Sequence, residues 1–295
     1  MSLLSTAVEG WDPAPMSVTG TIDAWPAEAF SHALDLPMSL KRGDALPPMW
    51  HWFHLLDHPS RSALGEDGHP SDGAFLPPVP DRRRMFAGSR VRWHAPIRIG
   101  DEVTRRSALQ QVRVKQGRSG EMVFVTVRSE FSRGDRVLLV EDQDIVYRSQ
   151  PATLRSESSP PSAAATKSPA EPSDGAAPGG KRIALDTDPA LLFRVSALTY
   201  NTHRIHYDLP YCTDVEGYPG LVVHGPLLAL LLMEVPRRFH PDRTVESFEF
   251  RLVTPVFSGQ RVVADGNAGD GGGLMLSAAA EGGPQAIRGS AVLAP

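Results

Sequence analysis

The chain has 295 residues, 41% of them hydrophobic and 22% charged, with a formal charge of −4. That size gives room for two cores, and the slightly acidic balance gives nucleic acid no footing. Cys212 is the single cysteine. An intramolecular disulfide framework and a multi-cysteine zinc or iron–sulfur site are therefore excluded, and a reducing, cytoplasmic setting is expected.

The first forty residues carry no Lys or Arg, which fits neither a secretory signal nor a transit peptide, so they are expected to belong to the mature protein. "AWPAEAFSHALDL" predicts a helix with Pro26 near its start, and "PMWHWFHLL" predicts a second, apolar one. In the latter, His51 and His54 sit among Trp50, Trp52 and Phe53 and are expected in the core or lining a pocket. The basic run "DRRRMFAGSRVR" offers Arg84 and Arg90 to a phosphate or carboxylate, with plain surface solvation as the competing reading. Beyond it, "SALQQVRVKQ", "EMVFVTVRSEF" and "RVLLVEDQDIVYRS" alternate between glycine-bearing turns, the pattern of an antiparallel meander.

Residues 150–180 form a Pro/Ser/Ala/Gly tract with no aromatic residue, expected to be a flexible tether. It divides the chain into an N-terminal unit, 1–149, and a C-terminal unit, 181–295. The two share a motif. "VRWHAPIRIGDEV" from Val91 aligns without a gap on "FRLVTPVFSGQRV" from Phe250, matching Arg92 with Arg251, Pro96 with Pro255 and Gly100 with Gly259. In the second unit the motif again leads into a meander. The run "LVVHGPLLALLLMEV", too short to span a bilayer, predicts a buried helix with Gly225 as N-cap and Pro226 in the first position. One long helix against a curled antiparallel sheet, made twice, is an α+β architecture.

"TYNTHRIHYD" concentrates titratable groups. His203, His206, Asp208 and His224 offer metal-type donors, but nothing has zincin spacing and no metal is expected. For the pair His203 and His206, hydrogen-bonded structural roles compete with acid–base chemistry. The latter is favoured by Gly225, because amides at a helix N-terminus stabilise negative charge developing on a thioester carbonyl.

"HYDLPYCTDVEGYPGLVVHGPLLALLL" resembles the hydration motif of the MaoC-like, R-specific enoyl-CoA hydratases and 3-hydroxyacyl-thioester dehydratases, with its later V-H-G-M-L segment. The resemblance implies a double hot-dog fold, two antiparallel sheets each wrapped around a central helix. It implies a hydro-lyase that adds water reversibly to an α,β-unsaturated acyl-CoA, with no cofactor beyond the CoA of the substrate, no membrane, and room for a homodimer. His206 falls on the family's catalytic histidine, Asp208 on the aspartate after it and Tyr211 on the aromatic. The chain departs from the pattern where the family has its catalytic aspartate: here stands Asn201, and His203 replaces an asparagine. Asparagine can hold water but cannot take its proton. Either His206 works alone over water placed by Asn201, or His203 or Asp208 shares the task. Arg204 and Tyr211 are candidates for the substrate, and His224 for support.

"LPPMWHWFHLLDH", "LGEDGHP" and "FLPPVPDRRRMFAGSRV" extend the resemblance to the longer itaconyl- or mesaconyl-CoA hydratase and mitochondrial-type dehydratase subgroup. The expected substrate is then a branched dicarboxylic thioester, giving citramalyl-CoA, with fatty-acid dehydration, thioester hydrolysis and non-catalytic acyl-CoA binding as alternatives. Chemistry is expected in the C-terminal unit, while the N-terminal unit shapes the pocket.

Overall fold

In β8 (Arg261–Ala268) and β9 (Leu274–Ala280) buried residues alternate with more exposed ones, which is what a sheet with one covered face requires. The same logic runs through the remaining strands of the computed structural model, which describes residues 3–73, 75–117, 120–149, 181–269 and 272–295. The expected tether lies outside the described residues. The other strands are β1 (Met16–Thr21), β2 (Arg82–Trp93), β3 (Glu102–Gly117), β4 (Gly120–Arg133), β5 (Arg136–Ser149), β6 (Lys181–Asp186), β7 (Thr244–Leu252) and β10 (Gln285–Ala294). All ten pair antiparallel in the order β1-β3-β4-β5-β2-β7-β10-β9-β8-β6. Each half supplies five neighbouring strands, and the halves meet edge to edge where β2 pairs with β7.

The sequence repeat is a structural one. Gly100 and Gly259, matched in the ungapped alignment, sit in equivalent turns at φ 83° and 89°, a region that favours glycine. At the seam Arg90 lies opposite Glu249, and carrying that alignment one residue back from Val91 and Phe250 makes these two positions equivalent as well. The pseudo-two-fold axis therefore passes through that pair.

Among the described residues four α-helices accompany the sheet: α1 (Leu3–Ala7), α2 (Ala24–Ala33), α3 (Pro189–Leu198) and α4 (Gly225–Phe239). Asp188 caps α3 by accepting the Leu191 N–H at 2.7 Å, with Pro189 in the first turn. Helix α4 packs against β6 and β8, and Leu227 through Pro236 are all buried. A helix apolar all round belongs inside, and each enclosed leucine contributes roughly 1.5–3 kcal/mol. Its one buried charge, Glu234, is met by Arg237 and Arg238 one turn on. His224, rather than Gly225, occupies the N-cap, so the helix begins one residue earlier than expected.

"PMWHWFHLL" does not make the expected helix. It forms a 3₁₀ turn, Trp50–Phe53, with Met49 before it and Leu55 after it in left-handed conformation. The reason lies in Glu141, a fully buried carboxylate that accepts from His51 Nε2 (3.0 Å), Trp52 Nε1 (3.0 Å), Ser89 Oγ (2.8 Å) and Gln143 Nε2 (3.1 Å). Consecutive residues on an α-helix point about 100° apart and do not converge on one acceptor. Burial alone would raise the Glu141 pKa, but these donors hold it below the ordinary range. His51 and His54 are both enclosed.

Candidate active site

Helix α3 ends at Leu198, the chain turns through left-handed Tyr200, and the Asn201 Oδ1 accepts the His203 N–H at 3.0 Å. This turn throws residues 203–206 toward the start of α4. His206 is buried and donates from Nδ1 to the Val222 carbonyl at 2.7 Å, which leaves Nε2 as the proton-accepting nitrogen. Burial lowers the His206 pKa to about 4, the Val222 bond opposing and His69 reinforcing the shift. At neutral pH the ring is a free base.

His224, the α4 N-cap, stacks on His206 with ring centres 3.7 Å apart. Its Nε2 bonds Ser196 Oγ on α3 at 2.8 Å. Burial, with His206 and His203 beside it, keeps His224 neutral. The imidazole pair therefore stands uncharged at the positive end of α4, where the first-turn amides have no partner within the helix. Pro226 has no N–H, so Gly225 and Leu227 supply those donors.

The structure brings in two residues that the sequence reading did not single out as site residues. Loop 65–70 of the N-terminal half closes on itself, Gly65 N–H to His69 O at 2.7 Å, and lies on the 202–204 segment. The Arg204 N–H donates to Asp67 O (2.9 Å) and Thr202 Oγ1 to Gly68 O (2.5 Å). Gly68, at φ 86°, approaches so closely that a Cβ would overlap the Thr202 carbonyl. Docked in this way, His69 places its ring 4.0 Å from that of His203, which in turn meets His206 edge-on at 5.5 Å. His69 Nδ1 bonds Asp67 Oδ2 at 3.0 Å. Burial alone would raise the Asp67 pKa, but the His69 side-chain and backbone bonds bring it down to about 2. Burial, then His69 and His206, drives His203 far below the usual imidazole range. The only sequence signal was "EDGHP": a turn glycine between an acid and a histidine, with nothing in its spacing to indicate a partner beyond residue 200.

Asp67, His69 and His203 each bring a ligand atom within 4.8 Å of the others, a set able to hold a divalent cation. The Asp67–His69 hydrogen bond accounts for two of these groups without an ion.

The other expected site residues divide. Asp208 is pinned by Arg204 Nε (2.9 Å) and Nη2 (2.7 Å) and accepts the Tyr211 N–H, so its oxygens are spent away from His206. Arg204 lies over the Tyr211 ring, 4.0 Å from its centre, and also donates to Glu66 O. It serves as a strut rather than a free cation. Tyr211 is buried beneath it, with its hydroxyl on Glu216. Arg90 forms a two-point pair with Asp144 on the sheet. Arg84 alone among the candidate arginines lines a cavity of about 320 Å³, together with Asp67, His69, Arg82 and Tyr147. The Tyr147 hydroxyl is buried there without a hydrogen-bond partner among the described residues.

A ten-stranded antiparallel sheet made of two related halves, with buried histidines gathered at the start of its long helix, defines a double hot-dog scaffold. Residues 49–258 match the family described as hydroxyacyl-thioester dehydratase type 2. The chain is 44% identical over 236 residues, 78% of each chain, to mesaconyl-C(4)-CoA hydratase of Chloroflexus aurantiacus. Among solved structures it superposes on a MaoC-like dehydratase from Phytophthora capsici with a TM-score of 0.65 at 13% identity, covering 98% of both chains. A Mycobacterium tuberculosis protein with a double hot-dog fold gives a TM-score of 0.55 at 17% identity, over 96% of both. The chain belongs to the family of type 2 hydroxyacyl-thioester dehydratases, and it is a hydratase/dehydratase enzyme. Among the described residues no helix is long and apolar enough to cross a membrane.

Proposed function

We propose that the chain reversibly hydrates the double bond of an α,β-unsaturated acyl-CoA, with a branched dicarboxylic acyl group as its preferred substrate. The observation that carries the reaction type is His206, neutral, fixed in one tautomer by Val222 and set at the N-terminus of α4. Its Nε2 takes a proton from water as the oxygen attacks the β-carbon. The thioester oxygen, gaining negative charge, is stabilised by the Gly225 amide and the helix end. The α-carbon then receives a proton, and the reverse sequence dehydrates. Asn201, whose Oδ1 is engaged by His203, keeps its amide N–H₂ for orienting the water. No step calls for a redox group or metal, because the thioester itself acidifies the α-position.

The dicarboxylic preference draws support from the mesaconyl-C(4)-CoA hydratase relative and from Arg84 in the cavity beside His69. A free carboxylate entering there would meet a guanidinium and the Tyr147 hydroxyl. The second reading, a 3-hydroxyacyl-thioester dehydratase of unbranched chains, draws on the family description.

Mass spectrometry of protein incubated with crotonyl-CoA, a long-chain enoyl-CoA, itaconyl-CoA and the 4-thioester of mesaconate separates them. Gain of water on the branched dicarboxylic thioesters is expected, giving citramalyl-CoA; gain only on unbranched chains selects the second reading, and release of free CoA would mean thioester hydrolysis. Arg84→Gln should raise KM for the mesaconate thioester about tenfold or more with little effect on crotonyl-CoA, as expected for loss of a charged hydrogen bond. Equal losses on both would remove Arg84 from substrate selection.

A further inference from the structure

Hydration needs one group to take the water proton and a source for the proton delivered to the α-carbon. His206 fills the first role. Among its neighbours, Asn201 does not titrate, Asp208 is spent on Arg204, and His203 and His224 are held neutral by burial and by one another. Among the described residues around His206, only His69 has a carboxylate partner, and a carboxylate on Nδ1 both fixes the tautomer and stabilises the imidazolium that forms when Nε2 takes a proton. His69 and His206 flank the same His203 ring, and His69 also lines the 320 Å³ cavity. Asp67 and Glu66 from its own loop, Asp81 just before β2, Arg82 and Arg84 on β2, Tyr147 on β5, and His203 and His206 from the second half are the charged or titratable groups around it among the described residues.

We propose that His69, contributed by the N-terminal half, is the second acid–base group of the reaction, exchanging the proton at the α-carbon, with Asp67 as its positioning residue. The proposal rests on the hydratase reading above. In hydration the water O–H bond breaks toward His206 Nε2 and the new C–O bond forms at the β-carbon. The π electrons move to the α-carbon, which takes a proton from His69 imidazolium. His206 ends one proton richer and His69 one poorer, and solvent resets both. The carboxylate that Asn201 cannot supply within its own motif is thus provided across the seam as an Asp–His dyad.

The test uses the full chain and the 4-thioester of mesaconate, with crotonyl-CoA alongside. His69→Ala should lower kcat about 10²–10³-fold with KM changed little, and added imidazole should restore about tenfold of the loss, as for a missing proton-transfer group. Asp67→Asn should cost about tenfold in kcat, with a melting temperature near that of the parent protein. His69→Gln provides a folding control that fills the site without titrating. Near-normal kcat in His69→Ala overturns the proposal while leaving the hydratase reading intact. So does a loss that imidazole does not rescue in a folded variant, or parent activity that a chelator abolishes and Zn²⁺ restores. Parent protein that hydrates neither thioester overturns the reading beneath it.

Discussion

The two halves share strands, turns and axis but differ at the position that faces the sheet's interior. In the second half it holds α4, fifteen residues long, whose start presents His224 and the helix amides to His206. In the first half it holds the four-residue turn Trp50–Phe53, and the chain then runs out through loop 65–70 to lie on residues 202–204 of the other half. One half keeps a long buried helix; the other trades helix length for reach. Each half also buries an imidazole, to opposite ends. His51 serves a permanently buried carboxylate, whereas His206 keeps one nitrogen uncommitted.

The sharpest way to break this contrast is to delete the imidazole that should do chemistry. His206→Ala is expected to lower kcat about 10²–10⁴-fold in a protein that still folds, read by steady-state hydration of crotonyl-CoA. Near-normal turnover would make the second half's cluster structural. The counterpart in the first half is Glu141→Ala, which strands His51, Trp52 and Ser89 without an acceptor. Urea unfolding should report a loss of about 3–5 kcal/mol, while the folded fraction keeps most of its kcat. Gly68→Ala probes the reach of the loop. Its Cβ collides with the Thr202 backbone at a φ that disfavours side chains, so kcat should fall about 10–100-fold as His69 and His203 shift, with a smaller change in melting temperature.

The gentlest probe is pH. His206 and His54 have folded-state pKa values of about 4, below the ordinary value of about 6.5. The folded protein then binds fewer protons than the unfolded chain between those values. Stability is fully present above pH 6.5 and is lost as pH falls toward 4. Melting temperatures from pH 8 to 4.5 should follow that course, and the acid limb of kcat/KM should fall near 4; a midpoint at 6.5 would mean that His206 is not held neutral by burial.

Much of this was legible in the sequence because the residues concerned answer to local rules. Gly100 and Gly259 mark the same turn in both halves because both turns demand a positive φ, and from that match the two-fold arrangement of strands follows. The buried start of α4 was written in its Pro–apolar run. "PMWHWFHLL" misled because apolar content says that a segment is inside without saying what it must bond, and Glu141 lies some ninety residues away. Arg204, inside the motif, reads as a candidate for the substrate; only the fold reveals that Asp208 and the Glu66 carbonyl claim it. Asp67 and His69 stayed unassigned for the same reason. Their meaning is a contact with residues in the other half, and no periodicity or spacing within either segment encodes it.

The seam pair Arg90 and Glu249 carries one more lesson, about symmetry. In an assembly of two identical chains, a residue on the axis must face its own copy, and an arginine there would face an arginine, at a cost in a directly opposed strand pair. Fusing the two halves into one chain lifts that rule. Opposite charges can meet on the axis, and with the constraint gone, the two interiors are free to become different organs of a single site.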